Sequence, residues 1–375
     1  MSAAIPAINF GASNDFAMGI EEELLLVDPA THALDHSAVD LLLRLPETPA
    51  QGAACPETYS SLVELESPVC ADVADAVESL AAWRERIREA GATAIGAGLH
   101  PDGSFGDVVH FPTDRYRRIA DEMRGLLART PTCALHVHVG MPDAESAIRA
   151  YNGLRDHLPL LQALAANSPF WHGRDSGFAS ARSQVFRAFP TSEVPEAFSS
   201  FDEYADRVEK TVAAGGLPDY TYLWWDLRPH PALGTVEVRA MDSQSSLATV
   251  AGVAALVHAL TLRAVDGHVQ GESREVLMES SFRAARDGLD ATIWYDDALR
   301  PVSEVAWETI QLARPYARDH GFESALEEVE KVLEDGNGAA RQRIAFDRGG
   351  MRTVLAELAG ETRAAGRESL SVISV

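Results

Sequence analysis

The sequence predicts an α+β fold, in which an antiparallel or mixed sheet packs one face on helices and leaves its other face open. The first observation that supports this fold is a set of short segments in which apolar and polar residues alternate, as they do in half-buried strands. Longer segments repeat apolar residues at helical spacing, and the connections mix short with long. Because no linker is recognisable, we expect one domain over residues 1–375, with its strands mainly within 15–245 and mainly helices in 246–375.

The elements are predicted in order along the chain. Residues 18–27 form a strand that enters a turn at Asp28 and Pro29, residues 59–69 a second strand, and residues 72–90 a helix that stops at Gly91. Residues 96–115 form a long loop rich in glycine and proline, followed by a helix at 115–127, a strand at 132–141 and a helix at 144–166. Residues 170–218 are irregular, with a helix near 202–213. Strands follow at 222–227 and 235–241, and helices from 246 onward, the last near 338–365.

Charge and composition exclude several classes of protein. The net charge of −24 would repel phosphate backbones, which argues against nucleic-acid binding. Residues 1–10 hold no basic side chain and no long apolar core, so no secretory signal is predicted. The longest apolar run, 250–257, is shorter than the ~20 residues of a membrane span. We therefore expect a soluble, cytoplasmic protein with no membrane partner.

Cysteine and lysine usage narrows the chemistry further. Cys55, Cys70 and Cys133 are too sparse for a disulfide framework or a structural zinc site. All but two of the 32 basic side chains are arginine, and neither Lys210 nor Lys331 follows a glycine-rich loop, which excludes a P-loop. If the protein handles phosphate, arginine and metal must bind it.

The first strand carries an unusual pair of carboxylates. Alternation places Glu21 and Glu23 on one face, roughly 7 Å apart, and places Glu22 on the apolar face. Two carboxylates on one strand face repel unless they are hydrated, protonated or share a cation. A solvated strand face and a cation site both explain this pair.

Three further strands repeat the arrangement of one apolar and one polar face. The second holds Glu64 and Glu66 on one face, with Glu57 just upstream. The third holds His136 and His138, a metal signal that structural histidines can also produce. The fourth holds Glu237 and Arg239, for which a surface salt bridge is the simpler explanation. Carboxylates with an imidazole suit Mg²⁺, with Mn²⁺ as the alternative, so the strands together predict a polar sheet face that binds hard divalent metals with a phosphate compound.

Several motifs in order along residues 15–350 resemble the glutamate–cysteine ligase family, in particular its YbdK-type carboxylate-amine ligases. They are GIEEE at 19–23, LHVHVG at 135–140, ANSPFWHGRD at 166–175, SARSQ at 180–184 with FP at 189–190, WDLRP at 225–229 and TVEVRAMD at 235–242. The resemblance implies a glutamine-synthetase-like fold, a curved and mostly antiparallel sheet forming a funnel with helices on the outer face. It also implies that ATP phosphorylates a carboxylate to an acyl phosphate, which an amine then attacks.

Residue roles follow from the same resemblance. It implies catalytic roles for Glu237 and Arg239, with Arg239 facing the transferred phosphoryl group of ATP; His138 and Glu66 are second choices as ligands. Glutamate is the first guess for the carboxylate, and cysteine or another amino acid for the amine; homo-oligomerisation is a family-level expectation. The metal-ligand roles fall on Glu21, Glu23, Glu57, Glu64, His136 and Glu237.

One departure and two alternatives remain. Where relatives read His-Pro-Phe-Ala, residues 100–103 read HPDG, which leaves substrate choice open if this loop shapes the pocket. Loops 96–115 and 215–220 are lid candidates because of their glycines. A metal-dependent hydrolase using His136 and His138, or a non-catalytic nucleotide-binding protein, are the alternative functions.

Overall fold

The computed structural model describes residues 4–13, 15–45, 51–267 and 271–364. The strands are β1 (Met18–Val27), β2 (Ala53–Pro56), β3 (Leu62–Glu66), β4 (Thr93–Ile95), β5 (Ala134–Gly140), β6 (Phe170–Trp171), β7 (Arg174–Asp175), β8 (Leu227–His230), β9 (Thr235–Asp242), β10 (Thr292–Tyr295) and β11 (Ala298–Pro301). The helices are α1 (Ala38–Leu42), α2 (Val73–Glu89), α3 (Asp114–Met123), α4 (Ala144–Arg155), α5 (Leu158–Leu164), α6 (Ala181–Phe186), α7 (Phe201–Gly215), α8 (Leu247–Val265), α9 (Arg274–Asp287), α10 (Val302–Asp319), α11 (Glu327–Asp335), α12 (Gly338–Gly349) and α13 (Met351–Ala364).

One antiparallel sheet organises the described part of the chain. Its strands lie in the order β2-β3-β1-β5-β9-β8, and β4 pairs with the end of β1 beyond β5. The four strands that the sequence singled out for their polar faces, β3, β1, β5 and β9, are therefore immediate neighbours. The α+β class with a mostly antiparallel sheet is confirmed.

The apolar face of the sheet carries the main core. Ile20, Leu24, Val137 and Val238 are fully buried there, and helices α2, α4, α5 and α8 pack against this face. Alternation explains why the strands can do this, since every second side chain points to the same side. Towards the end of β1 the opposite face is also covered, since Val27 joins a second cluster with residues of α3 and α13. The centre of that face, called the open face below, borders a cavity.

Glu22 is the exception on the apolar face. Its side chain is fully buried and forms two hydrogen bonds with the Arg84 guanidinium of α2, at 2.8 Å and 2.6 Å. Arg84 also donates to the carbonyl oxygens of Ser245 and Gln244. Glu22, the glutamate of β1 that faces away from Glu21 and Glu23, thus forms a structural ion pair that joins the sheet to its helix layer.

Several predicted boundaries were wrong for identifiable reasons. The predicted helix 144–166 is two helices, because Pro159 lies in the first turn of α5 and cannot continue the hydrogen bonding of α4. The predicted helix 338–365 breaks at Gly350, which has φ +71°; its last residue lies outside the described residues.

The predicted strand 222–227 was also wrong. Tyr220–Tyr222 is a 3₁₀ turn, and the strand is β8, which begins at Leu227. Trp224 instead joins an aromatic cluster with Phe186 and Phe189, so apolar packing rather than sheet pairing explains its hydrophobic character. Strand β2 and hairpin β10–β11 were missed because both are short.

Helix α8 is long and apolar enough to cross a membrane by length and composition alone, with a mean hydropathy of 1.6. However, 83% of that stretch is buried inside the structure, where α8 packs against α4, α10 and α11. Its hydrophobicity is therefore explained by its position in the core.

Candidate active site

Glu21 lies at the centre of the open face of the sheet. It pairs across the strands with Glu66 on β3 and His136 on β5. One of its carboxylate oxygens lies 3.0 Å from Nδ1 of His136, and the other lies 3.2 Å from Nε2 of His138. The strand register therefore brings both histidines to one carboxylate.

Two groups of side chains could each hold a cation. Glu21, Glu64 and His136 form one, and Glu21, His138 and Glu237 form the other; within each group the ligand atoms lie within 4.8 Å of one another. Glu21 belongs to both groups. In the described structure, Nε2 of His138 is buried, and it lies 3.2 Å from a Glu21 oxygen and 3.8 Å from a Glu237 oxygen. Carboxylates with one imidazole per group fit a hard divalent cation.

Burial and crowding change the acidity of the carboxyl groups. Burial, with the nearby Glu57 charge, raises the pKa of Glu23 to about 8, even though the amide of Ala134 donates a 2.7 Å hydrogen bond to it. Burial and the surrounding carboxylates also raise the pKa of Glu64 well above its usual range. For Glu21, burial is outweighed by His138 and His136, which hold its pKa well below the usual range. The cluster is thus short of positive charge at Glu23 and Glu64.

The two histidines also differ in their pKa values. Burial, with the Arg239 charge, lowers the pKa of His136 to about 4, so its imidazole is neutral near pH 7. Burial acts in the same direction on His138, but the charges of Glu21 and Glu237 outweigh it and raise its pKa. Only a neutral imidazole can bind a metal, so His136 is the readier ligand.

Glu237 lies between two arginines. Nε of Arg228 on β8 donates to it at 2.6 Å, and Arg239, two residues along β9, contacts its other oxygen. Although burial opposes it, the charges of both arginines hold the pKa of Glu237 well below its usual range. Sequence reasoning missed Arg228, although it lies in the WDLRP motif, because the predicted strand ended at residue 227, directly before it.

A cavity of about 340 Å³ opens over this cluster. One part of its wall is charged and the other is apolar and aromatic. Glu57 borders it without joining either cation group of the described residues; its carboxylate lies 3.1 Å from the Tyr116 hydroxyl. Residues 100–103, in which the sequence departs from its relatives, are not among the described residues that line it. The lining side chains are Glu21, Glu23, Glu57, Thr58, Tyr59, Glu64, Arg115, Tyr116, Ile119, Leu127, Thr132, Ala134, His136, Arg182, Phe186, Phe189, Thr221, Trp224, Arg228, His230 and Arg239.

Solved structures share this fold. A Francisella tularensis glutamate–cysteine ligase, solved in complex with AMP, superimposes over 96% of this chain and 95% of its own with a TM-score of 0.66 at 12% identity. A bifunctional glutathione synthetase from Pasteurella multocida gives a TM-score of 0.69 at 16% identity, over 95% of this chain and 54% of the longer one. At these identities the likeness establishes the fold.

Sequence comparison establishes the family. A glutamate–cysteine ligase 2 homologue from Rubrobacter xylanophilus is 36% identical over 90% of this chain and 92% of its own length. The glutamate–cysteine ligase of Halobacterium salinarum is 33% identical over 89% of this chain and 94% of its own length. The model of glutamate–cysteine ligase family 2 matches residues 17–357. The predicted resemblance is confirmed, and the chain belongs to glutamate–cysteine ligase family 2.

Proposed function

We propose that the protein is an ATP-dependent carboxylate-amine ligase, a single catalytic domain that forms an amide bond through an acyl phosphate. The observation that carries this proposal is Glu21, which two cation-binding groups share on the floor of a cavity that also holds arginines. A shared carboxylate with two adjacent cations suits a polyphosphate substrate. Family membership supports the same reaction class.

The metal-ligand roles belong to side chains on the open face of the sheet. Bound Mg²⁺ would neutralise the triphosphate and the attacking carboxylate. The raised pKa values of Glu23 and Glu64 support this assignment, since both carboxyl groups lack a compensating cation. Glu57 lies next to Tyr116, and among the described residues neither Glu57 nor Glu23 belongs to the two cation groups. The proposed ligands are Glu21, Glu23, Glu57, Glu64, His136 and Glu237.

Arg239 would bind the phosphoryl group as it is transferred. Its guanidinium is held by Glu237, while its Nε has no hydrogen-bond partner in the described part of the chain. Arginine's planar fork can donate paired hydrogen bonds to phosphate oxygens. Glu237 therefore has two roles, positioning Arg239 and contributing to the second cation group.

Water must be kept from an acyl phosphate. The end of the first lid candidate contacts the residues that follow the second: the Arg115 guanidinium lies 4.3 Å from the centre of the Tyr222 ring and donates to Thr221 at 3.2 Å. Arg115 is the last residue of the first predicted loop and the second residue of α3, and Thr221 directly follows the second loop. We assign the closing role to this contact.

The substrates are a small-molecule carboxylate, with glutamate as the first guess, and an amine, cysteine or another amino acid. A cytoplasmic location fits these substrates and ATP, and a homo-oligomer is proposed as a family-level expectation. Phe186, Phe189 and Trp224 give the cavity an apolar wall that an apolar side chain of the amine could contact, so amino acids other than cysteine are also candidates.

The deciding experiment measures ADP release by the purified protein with Mg²⁺, ATP and pairs of amino acids. Ligation predicts ADP formation that requires both a carboxylate and an amine. ATP-independent amide hydrolysis would instead support the metal-dependent hydrolase that His136 and His138 could build, and nucleotide binding without turnover would support a non-catalytic protein.

A further inference from the structure

Arg182 is a buried cation with few hydrogen bonds. It lies in α6, lines the cavity, and is 4% exposed. Of its nitrogen atoms, Nη2 donates to the carbonyl oxygen of Arg239 at 3.4 Å, and Nε has no hydrogen-bond partner among the described residues. A guanidinium has five N–H donors, so most of its donor capacity is unused.

The carboxylate nearest to Arg182 is already occupied. Asp242 lies 3.8 Å from Nη1 of Arg182, too far for a hydrogen bond. Its oxygens accept hydrogen bonds from Ser180 at 2.9 Å, from Ser168 at 2.7 Å and from the amide of Asn167 at 2.9 Å. Asp242 therefore offsets the positive charge of Arg182 but accepts no hydrogen bond from its guanidinium.

The comparison with Arg84 makes the difference clear. Arg84 is buried to the same extent, and its hydrogen bonds go to both oxygens of Glu22 and to two carbonyl oxygens. Burying charged donors without partners is costly, so a buried arginine is normally paired in this way. Arg182 differs because it borders the cavity, where a bound molecule can supply the missing acceptors.

We propose that Arg182 binds an oxyanion of a substrate in the cavity. Phosphate oxygens of the nucleotide and the carboxylate of the acid share the chemistry that a guanidinium recognises. Its neighbours support this position: Arg239 is adjacent, and the Phe186 ring lies 5.4 Å from the Arg182 guanidinium. The naming of the two candidate substrates rests on the proposed function, whereas the binding of an oxyanion does not.

The test measures dissociation constants by calorimetry in the presence of Mg²⁺. The probes are inorganic phosphate, the ATP analogue AMP-PNP and L-glutamate, and the variants are Arg182→Gln and Arg182→Lys. We expect Arg182→Gln to weaken binding of at least one probe by about tenfold or more, as for the loss of a charged hydrogen-bond donor. Weaker binding of AMP-PNP would place a phosphate at Arg182, and weaker binding of L-glutamate would place a carboxylate there. Arg182→Lys keeps the charge and should weaken binding less.

The matched control is Arg187→Gln. Arg187 directly follows the same helix and donates to Ser281, and it is not among the described residues that line the cavity. Folded Arg182 variants whose constants for all three probes stay within about twofold of wild type, as the control's should, would overturn the proposal. A wild-type protein that binds none of the probes would also overturn it. Failure of ADP release with Arg182-dependent binding intact would count against the ligase proposal alone.

Discussion

Individual carboxyl groups on the open face differ strongly although they lie side by side. Glu21 faces two histidines and ionises readily, whereas burial and the Glu57 charge raise the pKa of Glu23 to about 8. Without a cation, Glu23 holds a proton that a bound metal would displace.

Changing Glu23 to Gln keeps the shape of the side chain but removes the carboxylate that a cation would bind. We expect ligation to fall by roughly a hundredfold, the scale for losing a preorganised electrostatic contact, while folding stability near pH 7 stays level or rises. The Mg²⁺ dependence of ADP formation measures the loss of ligation, and thermal unfolding measures the change in stability. Glu21→Gln should lower ligation to a similar extent. Glu85→Gln, on the exposed surface of α2, is the control. Near-normal activity of Glu23→Gln at every Mg²⁺ concentration would contradict the assignment.

His136→Ala should weaken metal-dependent ATP turnover more than His138→Ala. The physical reason is that His136, with a pKa of about 4, is neutral and ready to bind a metal, whereas the pKa of His138 is raised by Glu21 and Glu237. Titrating Mn²⁺ against turnover for both variants gives the order of effects. A larger effect of His138→Ala would reverse this assignment and leave the ligase proposal intact.

Arg239→Lys keeps the charge but loses the planar fork. A lysine can still pair with Glu237, so thermal stability should change little if the arginine serves the reaction. We expect kcat to fall by about tenfold or more, a loss of roughly 1.4 kcal/mol in transition-state stabilisation. A variant with wild-type kcat and a lowered melting temperature would show that Arg239 is only a structural partner of Glu237.

At the scale of elements, β1 divides its three consecutive glutamates between two layers. Glu21 and Glu23 face the cavity, and Glu22 faces α2, where Arg84 neutralises it. The same strand therefore anchors the helix layer and supplies the site. Strand alternation alone explains both roles.

Removing Arg84 would leave Glu22 buried and unpaired. We expect Arg84→Met to lower the free energy of unfolding by about 3–5 kcal/mol, measured by chemical denaturation. Arg88→Met, which breaks the exposed pair with Glu85 on the same helix, should cost under about 1 kcal/mol. Equal losses for the two variants would mean that the buried pair contributes no more than a surface pair.

For the whole molecule, the acidic site makes stability depend on pH and on cations. Glu23 keeps its proton in the folded protein up to a pKa of about 8, whereas the unfolded chain loses it near the ordinary value of 4.5. This proton therefore stabilises the folded state at low pH, and the stabilisation is lost as the pH rises towards 8. Burial lowers the pKa values of His136 and His230 to about 4. Below about pH 6.5, the titration of these histidines makes stability rise with pH. The effect of Glu23 is therefore measured above this pH.

Metal-free protein should therefore lose about 1 kcal/mol of unfolding free energy between pH 7 and pH 8 relative to Glu23→Gln, which lacks this titration. Mg²⁺ should restore the wild type at pH 8 and have a smaller effect on the variant. Denaturation curves at both pH values, with and without Mg²⁺, measure this difference. Parallel pH profiles for the two proteins would show that Glu23 does not carry the shifted proton.

By itself, the sequence determined the α+β class, the strands β1, β5 and β9, and the identity of the polar face, because alternation and residue type are local properties. Only the tertiary structure decided which polar residues meet: strand order made Glu21 common to two histidines, and packing placed Glu22 opposite Arg84. Arg228 and Arg182 escaped sequence reasoning because their positions depend on pairing and packing between segments distant in the chain. Proximity across a fold is set by register and burial, which no single segment encodes.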